Sequence, residues 1–398
     1  MSRGSLLLVT LPPFRGGVPA KAAIMAGRLR RLGWTVTVAY YATLSDHPDL
    51  VVPSWRLFRG ARPGQAEGRC WDDFACHAIG CRFPELEAPY TAISAPWREL
   101  VARHDRHLAI GGTPLVANIL VECDVPHLLW CACPVDDDRR DRVEAMGWGR
   151  RLMDRSVVRP LLLAQQRRVL ASPLCSVMGV SRYTCRTLAG QGGTDPHLLP
   201  IPTDSDAFTP PARPAEPGTI GFAGRLGDPR KRVPLLLEAV AEMRRSGVPV
   251  RLRLAGEAPP ELPALAGRLG IAGEVEFLGH VPAEGLPAFY QSLDVFALPS
   301  AQEGLGIVGV EAMACGVPVV AAARGYGPDD YVIDGQTGWF SQGDAKSLAE
   351  RIAAIVADRP ARDAMSGAAR ALAVERFGLA AFEEGLADNW RRRWGDEP

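Results

Sequence analysis

The sequence predicts an α/β fold of two tandem, doubly wound domains built on mainly parallel sheets. Three observations carry this expectation. The chain has 398 residues, too many for one ordinary core. Short apolar and β-branched runs alternate with helix-length segments from end to end, the pattern of successive βα units. A proline-rich stretch, Pro210-Pro-Ala-Arg-Pro-Ala-Glu-Pro217, separates two such series and reads as a stiff, extended connector.

In the first series, strands are expected at residues 5–10, 35–41, 108–111, 127–131, 176–181 and 198–201. Between the first two, Ala23, Ala26, Leu29 and Leu32 recur at helical spacing, and Gly33 is placed to end that helix. In the second series, strands are expected at 219–224, 250–256, 275–279, 295–299 and 317–322. The final segment, 379–394, carries Phe382, Leu386 and Trp390 along one side and then Arg391-Arg-Arg393. It either docks on the body of the protein, where it could pack back on the N-terminal domain, or forms a peripheral basic helix. The expected division is an N-terminal domain over 1–203, a linker over 204–218, a C-terminal domain over 219–378 and a terminal helix over 379–398. In open sheets of this kind, ligands bind beyond the carboxyl ends of the strands. Two such sheets facing one another would make a central cleft.

Composition narrows the function. Lys plus Arg equals Asp plus Glu at 45 each, which argues against an extended nucleic-acid surface. The apolar run Leu6-Leu-Leu-Val9 is too short for a signal-peptide core or a membrane span, so a cytoplasmic protein is expected. Nine cysteines, an odd number, then read as reduced thiols. Cys70, Cys76, His77 and Cys81 do not match zinc-site spacing and read as ordinary loop and core residues.

The most informative segment runs Ser300-Ala-Gln-Glu303-Gly304-Leu305-Gly306-Ile307-Val-Gly-Val-Glu311-Ala-Met-Ala-Cys-Gly316-Val-Pro318. An expected strand ends in a loop with Glu303, Gly304 and Gly306, and a helix carrying Glu311 comes next. Glycines let backbone N–H groups approach a ligand closely, and a helix start offers free N–H donors to an anion. The two glutamates lie eight residues apart, about two helical turns, so one ligand could meet both. Carboxylates accept hydrogen bonds from vicinal hydroxyls, the chemistry of sugar and ribose recognition. With its glycines and the downstream Gly-Val-Pro, this segment resembles the retaining glycosyltransferases of the GT-B fold, family 4 (glycosyl transferases group 1). The resemblance implies two Rossmann-like domains facing a central cleft. It implies that Glu303 holds hydroxyls of a donor sugar and Glu311 the ribose of its nucleotide. Gly304, Leu305, Gly306 and Ile307 would belong to the same donor site.

Other segments extend the resemblance. Gly221-Phe-Ala-Gly224-Arg225-Leu-Gly-Asp-Pro-Arg-Lys231 opens the C-terminal domain at a strand end. Charge builds on the departing phosphate when a sugar leaves a nucleotide diphosphate, and fixed cations aimed there lower the barrier. Arg225 and Lys231, six residues apart, fit the family's Arg and Lys. Leu11-Pro-Pro-Phe-Arg-Gly16-Gly17 looks like the family's Gly-Gly loop, which faces the donor phosphates. Phe277-Leu-Gly279-His280 resembles the stretch lining the base pocket. Ile201-Pro-Thr-Asp204 resembles the entry to the linker. Asp330 falls where relatives usually carry Glu. The C-terminal half matches closely, and the N-terminal half only in its first βα unit and in pattern.

One departure concerns the acceptor side. Many members place a histidine after the strand corresponding to Val125-Pro-His127-Leu-Leu-Trp130-Cys131-Ala-Cys133, and here cysteines stand there. His127, at the strand's start, suits a core role. Asp136 and Asp137 could orient an acceptor or sugar hydroxyl, or cap the helix and pair with Arg139 and Arg140. Residues 139–168 hold nine arginines together with Trp148, Leu152, Met153, Val157 and Leu161. Such a stretch can lie on anionic lipid at the inner membrane face, or it forms a solvated helix pair below the acceptor site.

The expectation is therefore a glycosyltransferase that moves a hexose-type sugar from a nucleotide diphosphate to an acceptor hydroxyl with retention. Arg225, Lys231 and Glu303 would be catalytic, and Gly16, Gly17, Gly224, Gly279 and Glu311 would help bind the donor. No cofactor beyond the nucleotide-sugar co-substrate is expected, and no metal, since Asp136-Asp-Asp138 is a poor match to a metal motif. The acceptor could be a glycan, a lipid-linked sugar or a small natural product. Alternatives are an epimerase or hydrolase of nucleotide sugars on the same fold, or a degenerate nucleotide-sugar-binding protein.

Overall fold

Apolar runs become the central strands of two separate sheets. The computed structural model describes residues 3–12, 17–71, 73–144, 146–193, 195–213 and 215–398, without the side chains of 57–59, 141 and 144. The chain divides into one unit of Met1–Leu199 with Gly385–Pro398, and a second of Pro200–Glu384.

The first unit holds β1 (Gly4–Thr10), β2 (Trp34–Tyr41), β3 (Gln65–Cys70), β4 (Phe74–Ile79), β5 (Arg106–Gly111), β6 (His127–Cys131), β7 (Cys175–Gly179) and β8 (His197–Leu198). Their order is β3-β4-β2-β1-β5-β6-β7-β8. All pairs are parallel except β3 with β4. The central strands are covered on both faces: Leu6, Leu7, Leu8 and Leu108 to Ile110 are inaccessible to solvent. That is why they read as continuous apolar runs and not as alternating ones. Burial of each such leucine contributes about 1.5–3 kcal/mol.

The helix Gly17–Arg31 packs on this sheet through Ala22, Met25, Ala26 and Leu29, at three- and four-residue spacing. It also buries Lys21, whose Nζ donates to the carbonyls of Gly111 (3.0 Å) and Trp130 (3.2 Å). Desolvation lowers the Lys21 pKa to about 8. The side chain ties the helix start to the ends of β5 and β6.

The β3–β4 hairpin was not expected from the sequence. β3 is a polar edge strand, exposed along nearly its whole length, so it lacks the apolar pattern that marks the other strands. Cys70 and Cys76 lie on this hairpin, and among the described residues no group of three or more His, Cys, Asp or Glu is arranged to hold a metal.

The second unit holds β9 (Thr219–Ala223), β10 (Arg251–Ala255), β11 (Val275–Gly279), β12 (Val295–Leu298), β13 (Val319–Ala321) and β14 (Gly338–Phe340). Its order, β11-β10-β9-β12-β13-β14, is parallel throughout. The strand order reverses direction between β9 and β12, which makes that gap the topological switch point where ligands of open α/β sheets bind.

Residues 203–209 are held on the second unit, because the Thr203 amide donates to the Phe377 carbonyl and Arg370 donates to the carbonyls of Ser205 and Phe208. Gln291 likewise donates to the Thr209 carbonyl at 2.8 Å. The helix Leu379–Trp394 starts in the second unit and belongs to the first from Gly385 onward. Trp390 is fully buried, its ring 5.1 Å from that of Trp34. Its indole donates to Asp396, which also accepts from Arg106 at 2.7 Å.

Candidate functional site

Several of the residues singled out in the C-terminal half lie on the loops that follow β9 and β12, at the switch point. After β9 the chain turns at Gly224, whose φ of +150° no side-chain-bearing residue adopts easily, and whose amide donates to the Ala255 carbonyl. Arg225 comes next, exposed and paired with Asp228 at 2.7 Å. Asp228 caps the short turn Pro229–Lys231 by accepting from the Arg230 amide. Burial pushes the Asp228 pKa upward, but the Arg230 and Arg225 guanidiniums together outweigh it and hold the carboxyl below its usual range.

The same turn aims Lys231 across the switch point. Its Nζ donates to Glu303 Oε1 at 2.6 Å, with both side chains largely shielded from solvent. The Ala301 amide donates to the Arg230 carbonyl, so the loops after β9 and β12 are tied together through the backbone as well. The basic turn and the acidic loop, far apart in sequence, thus form one site.

The loop holding Glu303 is closely packed from below. The Gly327 amide donates to the Glu303 carbonyl, and a Cβ on Gly327 would meet the Gly304 carbonyl at 2.4 Å. Gly306 precedes the helix Ile307–Ala314 with φ +79°, and its carbonyl accepts from the buried Tyr331 hydroxyl at 3.0 Å. A Cβ there would lie 2.8 Å from that hydroxyl. Gly306→Ala is therefore expected to cost about 1–3 kcal/mol and to lower Tm, because the substitution adds both backbone strain and a clash. An unchanged melting curve would show that the loop is not held in this way.

Glu311 lies on the next turns of that helix and is partly buried. Its Oε2 accepts from the Tyr290 hydroxyl at 2.7 Å. Desolvation raises its pKa to about 7, although the Tyr290 hydrogen bond works in the opposite direction. Tyr290 is itself fully buried. Sequence reasoning missed Tyr290 and Tyr331. Both reach the site through tertiary contacts and carry no local spacing signal.

Beside these groups, a cavity of about 680 Å³ opens at the carboxyl ends of β9 and β10, lined by Gly224, Arg225, Asp228, Glu257, His280 and Val308. Gly279 takes φ +66° and accepts from the Gly256 amide, which turns His280 toward the cavity. Asp330 is buried nearby in the short turn Gly327–Asp330. Chemically, the cavity offers the Arg225 cation, the Asp228 and Glu257 carboxylates and the first turn of the helix Ile307–Ala314 at Val308, and the Lys231–Glu303 pair lies on the same two loops. That set can hold a diphosphate and hydroxyl-bearing rings.

The first unit places its candidates differently. Gly16 lies outside the described residues, and Gly17 starts the helix after β1. Asp136 is clamped by Arg159 through two hydrogen bonds of 2.8 and 2.9 Å. Asp137 accepts from Arg140 and from the Tyr183 hydroxyl. Neither aspartate lines the cavity of about 1330 Å³ at the carboxyl ends of this sheet; Asp138 does, with Tyr41, Tyr90, Gly112, Arg142 and Arg150. Of the alternative pairing with Arg139 and Arg140, the Asp137–Arg140 contact is present at 3.0 Å, whereas Arg139 turns inward to Glu87 and Asp154. His127 is fully buried, and burial lowers its pKa to about 4. Cys131 is equally buried, its thiol pushed up to about 12.

Residues 205–372 match the family described as Glycosyl transferases group 1. The GDP-mannose-dependent alpha-(1-6)-phosphatidylinositol monomannoside mannosyltransferase of Mycolicibacterium smegmatis is 36% identical over 221 residues, 50% of this chain and 57% of that protein. The D-inositol 3-phosphate glycosyltransferase of Geodermatophilus obscurus is 38% identical over 208 residues, 46% of this chain and 45% of its own. The chain thus spans about half the length of the curated relatives it matches. Among solved structures, sucrose-phosphate synthase from Thermosynechococcus elongatus superposes with TM-score 0.72 at 20% identity, covering 99% of this chain and all of that one. Anabaena Alr3699/HepE, solved with UDP and glucose, gives 0.70 at 19% identity, covering 98% of this chain and all of that one. These likenesses bear out the expected GT-B fold class.

Proposed function

We propose, from the premise that residues 205–372 make the C-terminal half a member of the glycosyl transferases group 1, that this chain transfers a sugar from a nucleotide diphosphate to an acceptor hydroxyl. The observation that carries the reading is the Lys231–Glu303 pair spanning the β9/β12 switch point beside a cavity of nucleotide-binding size. In this reading the nucleotide occupies that cavity, Glu311 accepts hydroxyls of its ribose, and Glu303 accepts hydroxyls of the sugar. The diphosphate lies near Arg225, Lys231 and the N-terminus of the helix Ile307–Ala314.

As the bond from the anomeric carbon to the phosphate oxygen breaks, negative charge grows on the leaving group. Lys231, pre-aimed by Glu303, and the exposed Arg225 stabilise it. The acceptor oxygen bonds to the same face of the anomeric carbon, its proton passes to the departing phosphate oxygen, and configuration is retained. Products are the glycoside and a nucleoside diphosphate. Two protein cations supply the charge that a metal would otherwise supply, so transfer is expected to persist in EDTA. The hexose class of the sugar and a cytoplasmic place of action, where nucleotide sugars are available, belong to the same reading.

A panel of UDP-, GDP-, ADP- and dTDP-sugars tests it, with release of free nucleoside diphosphate as the readout. Because the M. smegmatis relative is named for GDP-mannose and other relatives for inositol 3-phosphate, GDP-mannose with inositol-phosphate acceptors is the first combination to try. Acceptor-dependent release and a product of unchanged anomeric configuration are expected. Release that ignores every acceptor would indicate a hydrolase, and an inverted product would remove the phosphate-as-base mechanism.

A further inference from the structure

A surface of the first unit lies outside the donor chemistry. The helical run from Trp148 to Leu170 is continuous, but its residues Asp154–Val158 form a π-helical turn. Its buried side is Asp154, Val158, Leu162 and Gln166, anchored by Arg139 on Asp154 and by the Val135 amide on Gln166. Its opposite side exposes Trp148 (85%), Leu152 (60%), Val157 (42%) and Leu161 (44%).

The π turn is what aligns these apolar residues. In an uninterrupted α-helix each residue advances about 100°, so Val157 and Leu161 would project from the side opposite Trp148 and Leu152. A π turn takes up one extra residue and rotates the downstream part of the helix back by roughly 100°. The four side chains then share one exposed half of the helix, and Met153 widens it.

The charge around this stripe is one-sided. Between Trp148 and Leu170 there are six arginines and a single acid, Asp154, which is buried and paired. Arg150 and Arg155 are exposed on the same helical run. An exposed indole with leucines and arginines around it suits the interface of an anionic bilayer, where rings sit at headgroup level and guanidiniums meet lipid phosphates. Among the described residues no helix is long and apolar enough to cross a membrane. We propose that this stripe docks the protein on anionic lipid.

Flotation of the full chain with vesicles tests the proposal without requiring turnover, so its failure would leave the transferase reading standing. The chain is expected to float with phosphatidylcholine vesicles containing phosphatidylglycerol, weakly with phosphatidylcholine alone, and less in high salt. Trp148→Ala with Leu152→Ser should lower partitioning at least about tenfold. Arg150→Glu and Arg155→Glu should each lower it roughly fivefold or more. All these positions are exposed, so circular dichroism and Tm should not change. Absence of vesicle binding by the wild type, or equal binding by the variants, would overturn the proposal. So would a dimer that Trp148→Ala converts to monomer in a chain that ignores vesicles.

Discussion

Lys231→Ala is expected to lower donor kcat/KM about 10²–10³-fold, the loss typical of removing one group that stabilises developing charge, or roughly 3–4 kcal/mol. The same change strands Glu303, which is largely shielded and would lose its 2.6 Å partner. A fall in stability of about 1–3 kcal/mol should therefore accompany the kinetic loss. The double variant Lys231→Ala/Glu303→Ala separates the two effects. Removing both charges should restore much of the melting temperature, whereas turnover should stay low. If activity returned together with stability, Lys231 would be a structural residue only. Steady-state kinetics and thermal melts on the four proteins of this cycle decide the matter.

Glu311→Gln should show opposite effects on stability and on donor binding. Burial holds the Glu311 carboxyl near pKa 7 in the folded chain, while an unfolded glutamate ionises near 4.5. Between these values the folded state binds the extra proton, so this residue's contribution to stability is full at low pH, declines as pH rises and is lost above about 7. Glutamine is never charged. The variant should therefore match the wild type at about pH 4.5 and exceed it by about 1–3 kcal/mol at about pH 8. It should nonetheless bind the nucleotide at least about tenfold more weakly, since an amide replaces a carboxylate as acceptor for the ribose hydroxyls. Wild-type affinity should rise as pH passes through about 7 and the carboxylate forms, and the variant's should not. Melting curves and nucleotide titrations across pH would contradict the assignment if wild type and variant ran parallel.

Much of this arrangement was legible in the sequence because parallel α/β sheets write themselves locally. Val295–Leu298 is buried on both faces and reads as an apolar run, and Gly306 marks a left-handed position before a helix. The hairpin Gln65–Cys70 with Phe74–Ile79 stayed hidden, because an exposed edge strand shows no hydrophobic pattern. Gly338–Phe340 is only three residues long and lies beyond the reach of periodicity. The proline-rich segment reads as a stiff connector, but the fixation of Ser205 and Phe208 just before it depends on Arg370, more than 150 residues downstream. The site divides in the same way. Glu303, Glu311, Arg225 and Lys231 were singled out through loop and strand context together with the family resemblance, whereas the Lys231–Glu303 pair, Tyr290 and Tyr331 exist only through the fold. In the first unit, Asp138 shares a run with Asp136 and Asp137, and only the helix turn determines which of the three faces the cavity.

Titration calorimetry of nucleoside diphosphates against the full chain is the most direct measurement of the central claim, which places the donor at the β9/β12 switch point. The account predicts one site per chain, with affinity lowered at least about tenfold by Arg225→Ala and again by Lys231→Ala. Binding of a diphosphate that is indifferent to both substitutions, or no binding of any nucleoside diphosphate, would contradict it.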